Sequence, residues 1–411
     1  MQKNRLFAIF VIVFMDLLGF SLVLPLLPYY AQTFGADALV TGLLVASYAV
    51  AQLVGAPILG RLSDRVGRRP VLLLSIAGTI AGFVVLGLAG ALWMLFASRL
   101  IDGLTGGNIS VAQAYIADVT DQKDRSKGLG IIGAAFGLGF IIGPVLGGAF
   151  STFGYAVPAF VAAGLATFNW VVVYFWLPES LGAEKRAVLA RQKKAPFTLG
   201  SLGRALNRPR VGPLLQTRFF FGLAFAMFQT LFALYAQQRL GLSAQVTAFV
   251  LAYVGVLSVI VQGFGIAWIS SRVSETRLIF VSTITMMFAL LAWALAPDLP
   301  TLLIILIPLS AAGGTLNTVL SSMLTKAVYP EEIGGTLGLA ASVESLTRVI
   351  APSLGGALFE YLGSWAPGVF SALVMAWVVA FVWRRIIVNP DPPLTPRAMQ
   401  HAQSPVLVEA D

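Results

Sequence analysis

The sequence predicts an all-α membrane protein, twelve transmembrane helices in two pseudo-symmetric six-helix halves, on three observations. Hydrophobic residues make up 58% of the 411-residue chain and the mean hydropathy is +0.86, which excludes an ordinary soluble domain. Apolar runs of about 20 residues recur along the whole length, each long enough to cross a hydrocarbon core. In lipid such runs default to helix, because their backbone polar groups find no water. Fragments also repeat between the halves: Tyr30-Ala31-Gln32 returns as Tyr235-Ala236-Gln237, and Gly60 falls opposite Gly265 at the same offset. Gly143-Pro144-Val145-Leu146-Gly147-Gly148 returns as Ala351-Pro352-Ser353-Leu354-Gly355-Gly356. Parallel repeats about an axis normal to the membrane place a midplane substrate site between halves that rock.

In chain order, span one (6–29) carries Asp16 mid-run and lacks a small-residue cleavage site, so it reads as a retained span and not a signal peptide. Span two (38–60) leads into a polar knot, 60–69, with five charges in nine residues; its glycines allow a tight turn and Pro70 opens span three (70–90). Spans four (92–117), five (127–150) and six (156–178) complete an N-terminal half, 1–178. The one long connection, 179–212, is rich in lysine and arginine. It is expected to be a cytoplasmic linker, either a tether or a helix lying on the anionic leaflet. Spans seven to twelve (213–237, 244–268, 277–297, 300–327, 334–361, 365–387) form a C-terminal half, 213–388, followed by a flexible cytoplasmic tail, 389–411. Among the odd-numbered loops only Arg239 is basic, while Lys3, Arg5, the 60–69 knot, Lys123, Arg125, Lys127, Arg272, Arg277, Lys326, Arg384 and Arg385 crowd the other side. Both termini are therefore expected in the cytoplasm, with the protein in the cytoplasmic membrane.

Composition narrows the chemistry. The net charge of +9 is spread over loops on one side and forms no face for nucleic acid. Cysteine is absent and the one histidine, His401, lies in the tail, so neither thiolate chemistry nor a metal site is expected. No Gly-Lys dipeptide occurs, hence no Walker loop, and no catalytic residue is assigned: the protein is not read as an enzyme.

The knot Gly60-Arg61-Leu62-Ser63-Asp64-Arg65-Val66-Gly67-Arg68-Arg69 resembles the signature loop between spans two and three of the major facilitator superfamily. Leu18-Gly19-Phe20 through Pro25 and Pro28 resembles the first-span motif of twelve-span drug:proton antiporters. The span-five series Gly133, Gly137, Gly139, Gly143, Pro144, Gly147, Gly148 resembles their antiporter motif. Physically, glycines at this density let helices approach closely and Pro144 permits a bend, so a plain packing seam is the alternative. Phe14-Met15-Asp16-Leu17-Leu18-Gly19, Arg99-x3-Gly103, Ala114 to Thr120 and Leu177-Pro178-Glu179-Ser180 extend the resemblance to tetracycline efflux pumps. The second half matches weakly and span nine lacks their embedded carboxylate, so tetracycline is one candidate substrate among several.

Charges inside spans are costly and point to function. Asp16, Arg99 and Asp102 are assigned to proton coupling; for Arg99 that role comes from the resemblance. Arg99 and Asp102 share a helical face with Gly106, Ser110 and Gln113. Glu344 and Arg348, four apart in span eleven, are assigned to the substrate cavity. For each cluster the alternative is a neutralised ion pair that holds helices together. Gln113, Asn317, Gln229, Phe221 and Phe225 are added as cavity candidates, with Gln262 and Asn169 as further polar contacts. The stripe Phe221, Phe225, Phe228, Phe232, Tyr235 either packs or faces lipid, or stacks an aromatic compound. Gly60, Asp64, Arg65, Gly67, Arg68 and Asp118 are gating candidates. The resemblance implies that Asp64 faces Gly334, Gly335 and Thr336 at the start of span eleven and that Arg68 reaches Asp118; a solvated surface pair is the alternative.

The resulting expectation is a monomeric, proton-coupled antiporter that exports amphipathic, aromatic small molecules, with the proton gradient as energy source and no cofactor. Export or flipping of a lipid or sugar conjugate on the same scaffold, or a non-transporting sensor, are the alternatives.

Overall fold

A computed structural model describes residues 2–120, 125–182, 206–329 and 332–391, together with Arg186 and Gly203. Most of the linker, and the tail with His401, lie outside the described residues. Among the described residues the regular structure is helical throughout.

In the first half, α1 (Gln2–Val23) passes through a 3-10 turn into α2 (Leu27–Gln32), forming one span. Then follow α3 (Ala38–Val66), α4 (Arg68–Gly87), α5 (Leu92–Thr105) and α6 (Asn108–Val119) as one broken span, α7 (Arg125–Ser151) and α8 (Ala156–Trp176). The second half begins with α9 (Val211–Leu240) and α10 (Ala244–Ile260), which runs through a π-helical turn into α11 (Ile266–Ser270). It continues with α12 (Glu275–Leu295), α13 (Leu299–Lys326), α14 (Ile333–Leu362) and α15 (Ala366–Val382). Ten of these helical stretches are long and apolar enough to cross a membrane. The other two spans are α5–α6 and α14, the ones that carry Arg99–Asp102 and Glu344–Arg348. The described residues thus hold the twelve spans expected.

Two local expectations change. The polar knot is not a loop: α3 stays helical to Val66, and a single residue, Gly67, turns the chain into α4. Gly67 has a φ of +120°, and Glu179 fills the space a Cβ would need. The Glu179 carboxylate accepts from the Arg68 and Arg69 amides at 2.9 and 3.1 Å, so it caps α4 from beyond the end of α8. Pro70 is accordingly the third residue of its helix and not the first, still within the turn whose amides have no helical acceptor. The second change is the break in span four at Gly106-Gly107, where the Gly107 amide turns to Ser75 Oγ on α4 at 3.3 Å.

Two apolar cores lie in the first half and one larger core in the second. The halves meet along α3–α14 and α7–α10. Gly42 lies against the Pro352 carbonyl and Gly356 against the Ala38 backbone; Gly148 lies against Gln245 and Ala248, and Gly255 against Phe140. The repeated Gly/Ala-Pro-x-Leu-Gly-Gly fragments therefore do the same job in both halves, each closing on a helix of the other half. On its remaining side the α7 series meets α1: Gly139 faces Leu17, Gly143 faces Ser21 and Gly147 faces Leu22, while Ser21 Oγ donates to the Gly139 carbonyl at 2.7 Å. Side chains at these glycines would push helix backbones apart.

Candidate functional site

The two ends of the molecule differ. At the end opposite Arg68 and Lys326, Tyr29 Oη bonds Thr247 Oγ1 at 2.6 Å and donates to the Leu242 carbonyl at 3.0 Å, both across the halves. A small apolar cluster, Leu26, Tyr29, Ala233 and Ala244, surrounds it. Glu360 accepts from the Ala38 amide at 3.0 Å. At the basic end, Cβ atoms built on Gly130, Gly133, Gly334, Gly335 and Gly338 would meet nothing within 4 Å. The halves are thus joined by hydrogen bonds at the opposite end, whereas at the basic end the glycines of α7 and α14 stand without packed neighbours. Removing the Tyr29 hydroxyl strips a buried bond from the seal, a loss of about 1–2 kcal/mol. Tyr29→Phe is therefore expected to raise the population open at the opposite end by about 5–30-fold. Spin labels on cysteines at Thr33 and Gln238, both exposed, read this as a new longer distance. An unchanged distance distribution would refute the seal.

In the first half, the helix break brings Asn108 to Asp16: Asn108 Nδ2 donates to Asp16 Oδ1 at 2.5 Å. Arg99 and Asp102 are both buried, with Arg99 Nη1 3.4 Å from Asp102 Oδ2 and its guanidinium 5.6 Å from the centre of the Phe83 ring. Asp16 and Asp102 lie within electrostatic reach of each other, and Thr79 acts on Asp102. Tyr48 on α3 lies within electrostatic reach of Asp16, Asp102, Arg99 and Arg348. It accepts from Gln52 Nε2 at 3.1 Å and packs against Phe20, with ring centres 5.3 Å apart. The break also divides the face expected to join Asp102 and Gln113. Asp102 is buried in α5, whereas Ser110 and Gln113 are exposed on α6.

In the second half, Glu344 is held by two arginines. Arg348 Nη2 lies 2.7 Å from Oε1, and Arg218 Nη2, from α9, lies 3.1 Å from Oε2. Arg218 also donates to Ser321 Oγ at 2.9 Å and to Asn317 Oδ1 at 3.4 Å. Arg218 was legible as a charge five residues inside span seven, but its nearness to the span's start reads as a membrane-edge arginine. Gln229 is exposed and Phe225 half-buried on the face that carries Arg218, whereas Phe221 is turned into the core. The aromatic stripe is a packing element: Phe221, Phe225, Phe228 and Phe232 contact ring to ring, and Phe228 and Tyr235 abut Trp293. Asn169 is likewise structural, donating to the Ile12 carbonyl at 3.0 Å, and Gln262 sits exposed in the π-helical turn.

The gating candidates gather at the basic end of the first half. Arg68 Nη1 lies 2.8 Å from Asp64 Oδ1 and Nε lies 2.9 Å from Asp118 Oδ2, with a further bond to Ser63 Oγ at 2.7 Å. Ser180 Oγ donates to the same Asp118 oxygen at 3.2 Å. These side chains are largely buried, so the pairs are not surface ones. Arg65 is exposed, and a Cβ on Gly60 would meet nothing within 4 Å. The Arg68 pairs lie inside one half, while Gly334 and Gly335 stand open. Asn108 carries no role in the sequence reading and Glu179 appears there only within the Leu177–Ser180 motif, although the double glycine before Asn108 marks a helix break in the sequence itself.

Comparison with known proteins agrees with this architecture. A sequence profile for the Major Facilitator Superfamily matches residues 9–309 and 263–408. The class C tetracycline resistance protein of Escherichia coli is 32% identical over 383 residues, covering 92% of this chain and 94% of that protein. Solute carrier family 22 member 18 of Mus musculus is 31% identical over 369 residues, covering 88% of this chain and 90% of that protein. The crystal structure of a bacterial homolog of the human lysosomal transporter Spinster, inward-facing and occupied, has the same fold. Its TM-score is 0.75 at 16% identity, over 92% of this chain and 95% of that one. With its twelve spans, its glycine seams between the halves and these matches along nearly its whole length, the chain belongs to the Major Facilitator Superfamily.

Proposed function

We propose that this transporter is a proton-coupled antiporter of the cytoplasmic membrane, exporting amphipathic, aromatic small molecules by alternating access. The observation that carries the reading is Asp16: a carboxyl in the cavity wall whose described partner is the neutral Asn108 amide, beside an Asp102 that already has Arg99. A charge inside the membrane that lacks a cation is the group on which a proton can be taken up and released as the halves rock. The similarity to tetracycline resistance proteins supports a drug-like cargo.

On this reading the basic end faces the cytoplasm, as the distribution of lysine and arginine favours. The conformation is then inward-open, with the cavity ready to load from the cytoplasm. The protein works as a monomer, and the proton gradient supplies the energy without a cofactor. Arg68, Asp64 and Asp118 shape the inner end of the first half. Asp64 meets the first turn of α14 only when the halves close there.

Substrate-induced proton release from purified protein in weak buffer is the direct test. Addition of a transported dye at constant pH is expected to acidify the medium, and no release at any pH would overturn antiport. The chain has no cysteine, so single cysteines at Ser271 and Pro297, both exposed, check orientation. Pro297→Cys should react with an impermeant maleimide from outside intact cells and Ser271→Cys should not; the reverse pattern would refute the topology.

A further inference from the structure

We propose that Arg348 and Arg218 form an oxyanion subsite and that the cavity takes a dipolar amphipathic compound. Its carboxylate or enolate sits on these arginines and its cationic group beside Asp16. This rests on the reading of the cavity as a substrate site and names the chemistry of what enters it.

The charges of the two walls do not balance separately. In the second half two guanidiniums share the Glu344 carboxylate, which leaves one positive charge over. In the first half Asp16 and Asp102 face Arg99, which leaves one negative charge over. The surplus arginine also has donors to spare. Arg348 is 58% exposed in its side chain and its described hydrogen bond is the one to Glu344. Most of the five guanidinium donors therefore have no acceptor among the described residues. The Nε of Arg218 is buried and has no acceptor. A planar fork with free donors matches the two oxygens of a carboxylate, a match lysine would not give.

Position completes the case. Arg348 lies at the middle of α14, one turn before the Pro352 that closes on Gly42. Tyr48 on α3 lies within electrostatic reach of Arg348 and also of Asp16, Asp102 and Arg99, so charges of both halves act on one residue. Gln229 follows Arg218 by eleven positions on the same face of α9 and offers an exposed amide to an aromatic body, with the half-buried Phe225 packed between them. The exchange itself favours a dipolar cargo over a plain anion. A cation beside Asp16 and a proton on Asp16 exclude each other, as antiport needs, whereas protonating Asp16 would draw a lone anion in. Glu344 then serves as the counter-ion that holds the two arginines while the cavity is empty.

Tetramethylrhodamine and its methyl ester share the cationic xanthene and differ in one carboxylate. Binding to the purified full-length protein in detergent, at pH 7 and without a gradient, is read by fluorescence polarisation. The free acid is expected to bind about tenfold tighter or more, the size of a charge-assisted bond. Arg348→Gln should bring the two dyes within about twofold of each other, with Arg348→Lys in between, because a point charge replaces the fork. On the wild-type protein, benzoate should displace the acid and leave the ester bound, which tests the subsite should Arg348→Gln fail to fold. Equal or tighter binding of the ester, a preference that survives Arg348→Gln, benzoate that displaces neither dye, or binding of neither dye would each overturn the proposal. Carboxylate-selective binding without dye-induced proton release would leave the subsite standing and remove antiport; proton release by both dyes with no difference in their affinities would do the opposite.

Discussion

Asp16→Asn is expected to reduce proton-driven dye accumulation in inverted vesicles to the rate seen without protein, while downhill exchange of the same dye continues. The substitution keeps the shape of the side chain and a hydrogen-bond partner for Asn108, and removes a carboxyl whose described partner is that neutral amide. The cavity and its arginines remain, with a weaker hold on the cationic group, and the coupling is lost, so the surviving exchange should also lose its dependence on pH. Asp102→Asn is expected to act differently. Its carboxylate neutralises a buried Arg99, so its removal leaves that guanidinium unpaired and reduces the amount of folded protein as well as the coupling. Proton release on substrate addition separates the candidates. Normal release from Asp16→Asn, together with none from Glu344→Gln, would make α14 the coupling element and overturn this assignment.

Replacing Arg68 should produce the largest loss of stability. Its guanidinium bridges Asp64 on α3 and Asp118 on α6, with side-chain exposures of 7% for Arg68, 9% for Asp64 and 16% for Asp118. Arg68→Ala withdraws this cation from two largely buried carboxylates, and breaking a buried pair from one side costs about 3–5 kcal/mol. The thermal midpoint of the purified protein, followed by size-exclusion chromatography after heating, should fall sharply, and Arg68→Lys should recover part of it. Dye affinity of the molecules that fold should stay near the wild-type value, since the cluster lies at the basic end and away from Arg348 and Asp16. A wild-type midpoint with slowed turnover would instead identify Arg68 as a gate latch whose pairs cross between the halves in another conformation.

The knot around Arg68 folds differently from what its spacing suggests. Its spacing of glycine, aspartate and arginine resembles a loop between spans, and the expectation of a turn over 60–69 follows from the glycines. In the structure only Gly67 turns, because only there does the backbone take a positive φ with a carboxylate, Glu179, in the place of a side chain. The partner that makes the turn necessary comes from the far end of the half, and no local pattern names it.

What the sequence determines by itself is whatever lipid and local chemistry dictate. Apolar runs of spanning length must become helices, basic residues must collect at one end, and the repeated Pro-x-Leu-Gly-Gly fragments mark two equivalent seams. The Arg99–Asp102 and Glu344–Arg348 pairs are legible for the same reason: three or four residues apart on one helix, they meet with no help from the rest of the chain. The tertiary structure alone decides what depends on contacts far apart in sequence. The double glycine before Asn108 breaks span four, but only the crossing of α1 delivers Asp16 to that amide. The aromatic stripe of α9 has a helical period that fits a cavity wall or a core equally well, and Trp293 on α12 assigns it to the core. Arg218 is a single basic residue near a span's end until the packing of α9 beside α13 and α14 brings it to Glu344. Periodicity states which face a residue occupies, and only packing states what that face meets.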